Sequence, residues 1–298
     1  MSNPTIPIIV SIDNGTVGLD YTETMQFSGG ELQVKLPIRP YGTVDQLGVL
    51  ARLQSPADLV QLMLFEDVVE RFYPGVSRNL VIPYLPYGRQ DRVTELGNAF
   101  TLKAVAKMIN TLNYGMVVTL DPHSDVTPAL IDRLEPIEQA HALLNNSDMG
   151  PILHDRRVVI VAPDAGAHKK AAEVSRQFGR PLLQAMKHRD VHTGKVLSCS
   201  VPDFTPAVNE PHFLIVDDIC DGGATFVQLA QKLSGKWSRS KVSLYVSHGI
   251  FSKGFKDLNA YFDGIYTTNS WLRDGADTSD KLKVFRLFEE KVLQGGKD

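Results

Sequence analysis

The chain has 298 residues, of which 43% are hydrophobic and 22% charged, and its formal net charge is −3. That length suits about two domains with cores that need neither disulfide nor structural metal. The slight acidic balance argues against a nucleic-acid surface. The two distant cysteines, Cys199 and Cys220, read as free thiols, and no apolar run is long enough for a membrane span, so a cytoplasmic protein is expected.

In chain order, short β-branched runs alternate with amphipathic stretches, the pattern of a parallel α/β architecture. Strands are expected at residues 8–12, 79–83, 115–120, 158–162, 212–216 and 241–247, and helices at 55–71, 101–112, 167–177 and 225–233. Leu59, Leu62, Met63 and Val69 form a stripe expected in the core of the first helix. The polar stretch 144–151 reads as a domain boundary, giving domains at 1–145 and 150–278. The basic pairs Arg156-Arg157 and Lys169-Lys170 read as solvated faces.

The strongest local signal is His212-Phe213-Leu214-Ile215-Val216-Asp217-Asp218-Ile219-Cys220-Asp221-Gly222-Gly223-Ala224-Thr225, followed by a helix. An apolar strand ends in acids, and a glycine turn then opens a helix. Ligands in open α/β sheets bind beyond the carboxyl ends of strands, and a helix N-terminus offers unpaired N–H groups and a positive dipole end to a phosphate. Gly222 and Gly223 allow close backbone approach, Thr225 offers a hydroxyl, and Asp217 and Asp218 stand where they can hold ribose hydroxyls or a hydrated cation. The plainer alternative is a tight turn in which Asp221 caps the helix. The Walker A lysine motif is absent.

This segment resembles the phosphoribosyl-diphosphate motif of type I phosphoribosyltransferases and ribose-phosphate pyrophosphokinases. Other stretches resemble the pyrophosphokinases in particular. Phe27-Ser28-Gly29-Gly30-Glu31 is similar to their adenine-binding turn. Tyr84-Leu85-Pro86-Tyr87-Gly88-Arg89-Gln90-Asp91-Arg92 is similar to the stretch that meets ATP phosphates, and Asp121-Pro122-His123 to the turn beside the metal-bound triphosphate. Pro163-Asp164-Ala165-Gly166 resembles a metal-binding turn, Lys187-His188-Arg189 a mobile catalytic loop, and Ser247-His248-Gly249-Ile250-Phe251-Ser252 a downstream segment.

The resemblance implies two similar phosphoribosyltransferase-type α/β domains, each a mostly parallel sheet flanked by helices, with the active site in a cleft between them. A last helix at 279–292, within the tail 279–298, would return to the first domain. The implied activity is ribose-phosphate diphosphokinase, making 5-phosphoribosyl 1-diphosphate and AMP from ATP and ribose 5-phosphate for nucleotide or NAD synthesis. The alternatives are a phosphoribosyltransferase and a catalytically silent regulatory subunit. Phe27, Glu31, Arg89, Gln90 and Asp91 would bind ATP. Asp217, Asp218, Asp221, Gly222, Gly223, Ala224 and Thr225 would bind ribose 5-phosphate. His123 and Asp164 would hold Mg2+, and Lys187, Arg189 and His123 would be catalytic. A homo-oligomer, at least a dimer, is implied, with no nucleic-acid or membrane partner.

Taken singly, these residues have plainer readings: His123 as a turn histidine, Asp164 as an Asx turn, Phe27 as core, and Arg89 and Arg92 as surface ion-pair partners. The chain also departs from the family pattern. Gly29 replaces an Asp or Asn, Gly222 a Thr and Ala224 a Gly, while Val93-Thr94-Glu95-Leu96-Gly97 stands where basic residues are usual.

Overall fold

The computed structural model describes residues 8–13, 17–36, 46–144, 146, 149–189, 196–272 and 279–288. They form two compact units, the first ending at Ile137 and joined by Phe288, the second spanning Glu138–Leu287.

The first unit contains β1 (Ile8–Asp13), β2 (Val17–Tyr21), β3 (Glu23–Gln26), β4 (Leu32–Lys35), β5 (Gln46–Ala51), α1 (Pro56–Phe72), β6 (Ser77–Ile82), α2 (Thr101–Thr111), β7 (Met116–Leu120), α3 (Val126–Leu130) and β8 (Leu134–Ile137). Its main sheet has the order β2-β1-β5-β6-β7-β8. β1 runs antiparallel to β2 and β5, and the pairs from β5 to β8 are parallel. Parallel neighbours need crossovers, which α1, α2 and α3 supply. α1 starts where its sequence says it should. Ser55 Oγ accepts the Asp58 amide at 3.3 Å, Asp58 Oδ2 accepts the Ser55 amide at 2.7 Å, and Pro56 occupies the first turn. Leu59, Leu62 and Val69 are buried as expected, but Met63 points outward, because Phe65 rather than Met63 completes the inward face.

The second unit contains α4 (Gln139–Leu144), α5 (Gly150–Leu153), β9 (Val158–Ala162), α6 (His168–Phe178), β10 (Leu182–Gln184), β11 (Met186–Arg189), β12 (Val196–Ser200), β13 (His212–Cys220), α7 (Ala224–Lys236), β14 (Lys241–Gly249), α8 (Lys256–Tyr261), β15 (Gly264–Thr268) and β16 (Leu282–Phe285). Its six-stranded sheet is wholly parallel, in the order β10-β9-β13-β14-β15-β16. The chain moves outward from β9 to β10 and then crosses back to β13 on the other side, so the strand order reverses between β9 and β13. A crevice at the carboxyl ends of such a pair is where α/β sheets place ligands.

Two expectations are corrected. The stretch 144–151 is no boundary: Leu143, Met149 and Leu153 are buried in one cluster with β9 and α6, so the division falls earlier, after Ile137. The helix expected at 279–292 is a strand where it is described. β16 pairs with β15, and Phe285 stacks on Tyr245 and Tyr266 while Leu282 packs into the opposite core. Side chains three apart on opposite faces require period two. Residues 289–292 lie outside the described residues.

A buried polar cluster ties α1 to the sheet. The Glu66 carboxylate accepts from Arg78 of β6 at 2.6 Å and from the Tyr114 hydroxyl. Burial raises the Glu66 pKa, and the hydrogen bond from Tyr114 and the Arg78 charge oppose it. Arg78→Met leaves this carboxylate without its counter-charge and should lower the unfolding free energy by about 3–5 kcal/mol. Because folding holds the Glu66 pKa up, the penalty belongs to the ionised form and should be larger at pH 8 than at pH 5. Urea titrations at the two pH values check this, and equal losses would remove Glu66 as the cause.

Candidate active site

In the first unit, β6 and β7 deliver two loops to neighbouring points. The loop after β6 turns at Tyr87, whose φ of 61° lies in the left-handed region, and the Gln90 amide donates back to the Tyr87 carbonyl at 2.9 Å. The Gln90 carbonyl in turn accepts from Leu102 at the start of α2. After β7 the chain passes through Asp121 and Pro122 to His123. A Cβ at Gly88 would stand 3.3 Å from the Leu85 carbonyl and 3.7 Å from His123 Cβ, so a glycine lets the loops touch. Exposed Arg89, Gln90 and His123 are thereby gathered at the carboxyl end of this sheet.

Asp91 is placed differently from the ATP-contacting residue expected. Its carboxylate is 5% exposed and accepts from Arg92 at 2.9 Å. That hydrogen bond is the main cause holding its pKa low, against burial and with help from Ser124 and His123. Asp91 therefore braces the two loops, and of the two arginines Arg92 takes the ion-pair reading. Phe27 and Glu31 lie on a separate element, the tip of the β3–β4 hairpin. Gly30 (φ 91°) lets its amide reach the Phe27 carbonyl at 2.8 Å, and Gln61 of α1 donates to Thr24 at 2.5 Å to dock the hairpin. Phe27 is 48% exposed, so it is not core.

In the second unit, β9 ends at Asp164. Its Oδ1 accepts the amides of Gly166 (2.9 Å) and Ala167 (3.2 Å), the Asx-turn geometry. In the neighbouring strand, β13, the apolar run is followed by Asp217 and Asp218, shortly before the strand ends at Cys220. Burial first, then the charges of Asp218 and Asp164, push the Asp217 carboxyl well above the ordinary range. Asp218 instead faces Lys170 of α6, with Nζ 3.6 Å from Oδ2 and the lysine side chain 19% exposed. Lys170 is thus no solvated cation, whereas Arg157, paired with Asp155 at 2.7 Å, does lie on an open face. Gln139 of α4, 2% exposed, donates to the Asp217 carbonyl at 2.7 Å and to Ser247 Oγ at 3.1 Å, fixing the strand end.

The turn after β13 is glycine-dependent at one point. Gly223 has φ 77°, and a Cβ there would come within 3.0 Å of Leu258. Gly223 is the N-cap of α7 and, having no side chain, supplies no side-chain acceptor of its own. Asp221 Oδ1 accepts from Ser252 Oγ at 2.5 Å, and the amides of Ile250 and Phe251 donate to the Cys220 carbonyl. Cys220 is a buried free thiol whose pKa burial lifts to about 12, which makes it inert. Ala224 and Thr225 form the first turn of α7.

Lys187 and Arg189 do not lie in a loop. They belong to β11, which pairs antiparallel with β12, Lys187 opposite Cys199 and Arg189 opposite Val196, with a bulge between His188 and Arg189. Polar composition alone made this ribbon read as a connection. The turn at 190–195 lies outside the described residues. Gln139, Lys170 and Ser252 were missed. Gln139 carried no signal, whereas Lys170 is a cation early in the helix that follows Asp164 and Ser252 falls in the segment 247–252 that resembles the family.

Together these features define a phosphoribosyltransferase-type α/β protein, with acids and the glycine-led N-terminus of a helix at the switch point of a parallel sheet. No family model matches the chain. A ribose-phosphate pyrophosphokinase of Aquifex aeolicus is 30% identical over 252 residues, covering 80% of this chain and 75% of that protein. The corresponding protein of Sulfolobus acidocaldarius is 27% identical over 256 residues, covering 83% and 84%. The crystal structure of phosphoribosylpyrophosphate synthetase from Mycobacterium smegmatis has the same fold, with a TM-score of 0.76 at 20% identity over 90% of this chain and 87% of that one. The chain belongs to the ribose-phosphate pyrophosphokinase family.

The raised Asp217 pKa gives a stability test. Folding raises it above 3.8, so the ionised form costs stability, and that cost grows as pH rises from 3.8 through the folded value. In metal-free buffer Asp217→Asn should raise the melting temperature by roughly 2–6 °C at pH 8. The gain should shrink as pH falls toward 4, while catalytic activity drops. A gain that does not vary with pH would dissociate it from the carboxylate.

Proposed function

We propose that the chain transfers the β,γ-diphosphoryl group of ATP to the C1 hydroxyl of ribose 5-phosphate, giving 5-phosphoribosyl 1-diphosphate and AMP. The observation that carries this reading is the pairing, in one chain, of two sites. The acid pair and the α7 N-terminus of the second unit suit a sugar phosphate, and the Arg89–His123 cluster of the first suits a polyphosphate.

In this scheme ribose 5-phosphate lies with its phosphate on the amides of residues 221–225 and its hydroxyls donating to Asp217 and Asp218. Arg89, Gln90 and His123 hold the triphosphate, and Phe27 and Glu31 meet the adenine. The sugar hydroxyl attacks the β-phosphorus in line, its proton passes to solvent, and the bond to the α-phosphate oxygen breaks. Lys187 and Arg189 take up the charge that develops on the transferred group. Phosphoryl chemistry of this kind depends on positioning and charge rather than on a protein nucleophile.

The residues present fit Mg2+. Among the described residues no three or more His, Cys, Asp or Glu converge on one point. Asp164, with Oδ1 already taken by two amides, suits a cation held mainly by phosphate oxygens and water with one or two protein groups. The imidazole of His123 is a softer donor than Mg2+ prefers, so it is assigned chiefly to the phosphates. When bound, the ion neutralises phosphate charge and aligns the β-phosphorus.

No helix among the described residues is long and apolar enough to cross a membrane, consistent with work in the cytoplasm. Met25 and Phe27, both about half exposed on the hairpin, offer an apolar edge to a second copy, in keeping with a homo-oligomer.

The deciding assay is AMP release from ATP that requires ribose 5-phosphate and Mg2+. A phosphoribosyltransferase would release none, and neither would a silent subunit. Lys187→Ala and Arg189→Ala should each lower kcat about 10²–10³-fold with little change in the KM for ribose 5-phosphate. A kcat within about threefold of wild type would remove both from the catalytic set. Mixing Phe27→Ala and Asp218→Ala chains should recover part of the activity if sites are shared between copies. No recovery in verified mixed oligomers would mean that each chain completes its own site.

A further inference from the structure

Lys253 lies in the turn after β14, directly over the loop that opens α7. A Cβ built on Gly222 would meet its Cδ, Cε and Cγ at 3.3, 3.4 and 3.6 Å, so the aliphatic stem runs along the bare face of that glycine. The turn is bound to the loop by three backbone hydrogen bonds, from Ile250 and Phe251 to Cys220 and from Ser252 to Asp221, and by the Ser252–Asp221 side-chain bond. Gly254, at φ 67°, closes the turn, and buried Phe251 packs on Phe255. The root of the lysine is therefore held in place.

Its head has a different status. The loop's own acid, Asp221, accepts from Ser252, and among the described residues Lys253 forms no hydrogen bond or ion pair. A cation with a packed stem and an unneutralised head, beside a helix N-terminus whose cap provides no acceptor, meets the needs of an anion. Gly222 is what makes room: a β-branched side chain there would displace the stem.

We propose that Lys253 is a binding residue for the 5-phosphate of the sugar, admitted by Gly222, and that it sets the preference for phosphorylated over free ribose. This rests on the ribose 5-phosphate reading of the loop. Lys253→Met keeps the stem and removes only the charge. It should raise the KM for ribose 5-phosphate about 10-fold with kcat within about twofold, and flatten the dependence of KM on salt. Lys253→Arg should restore KM to within about threefold of wild type. Melting temperatures that match wild type exclude a folding defect. If the wild-type chain releases AMP and the Lys253→Met KM stays within about twofold, the assignment is overturned. Should the wild-type chain release no AMP, the reaction fails on its own account. Lys253 is then judged by calorimetric titration with ribose 5-phosphate, where weaker binding by Lys253→Met supports it and equal affinity overturns it.

Discussion

Two consecutive carboxylates at the end of a buried strand set the terms for the second unit. Phe213, Leu214, Ile215 and Val216 are all inaccessible to solvent, and Asp217 and Asp218 follow without a spacer. Adjacent acids with little water repel one another and resist ionisation. The fold treats them unequally. Asp218 is given Lys170, while Asp217 receives the Asp218 amide at 2.9 Å and the charges of its acidic neighbours. Gln139 and Ser247 then lock the backbone so that the pair cannot relax apart. In the proposed reaction a bound sugar supplies hydroxyl donors to Asp217 that the protein does not, so stability given up by the free protein returns as binding energy.

The first unit handles two of its buried acids the other way, pairing them with arginines. Glu66 has Arg78 and Tyr114, and Asp91 has Arg92. Neither pair is suited to a ligand. The Glu66–Arg78 pair lies at the start of β6, at the other end of the strand from the loops, whereas Asp91 belongs to the loop that carries Arg89 and approaches His123. A charge count along the segment 89–92 therefore overstates the positive charge facing a triphosphate. Arg92 is balanced by Asp91 within the fold, and Arg89 is exposed in the same loop.

Much of this was legible in the sequence because its signals were local. A serine before a proline and an aspartate three residues after that serine mark the start of α1, and the apolar run 212–216 marks β13, although the strand continues through the acids to Cys220. What escaped depended on partners distant in the chain. Lys170 looks like half of a solvated pair until α6 is set beside β13, and Gln139 has no local signature. Leu282–Phe285 alternates between two cores in a way that the flanking Lys281, Lys283 and Arg286 disguise as an amphipathic helix. Met186–Arg189 looked like a loop because its sequence is polar, although its backbone pairs with β12. The family resemblance did not reveal that Asp91 is turned inward.

The departures from the family pattern at 222 and 224 become intelligible once the three positions are separated. The backbone at Gly223 is the one that must be left-handed, and it is also the one whose Cβ space Leu258 has filled, so both conformation and packing fix glycine there. Ala224 is the first residue of α7 and is exposed, with ordinary helical geometry, so a methyl at that position lies outside the turn rather than inside it. Gly222 has no positive φ to require it. Its small size is used by the neighbouring turn, which lays Lys253 across it. The loop thus keeps the single glycine its backbone demands, while Gly222 leaves room for the Lys253 stem and Ala224 lies in the first turn of α7.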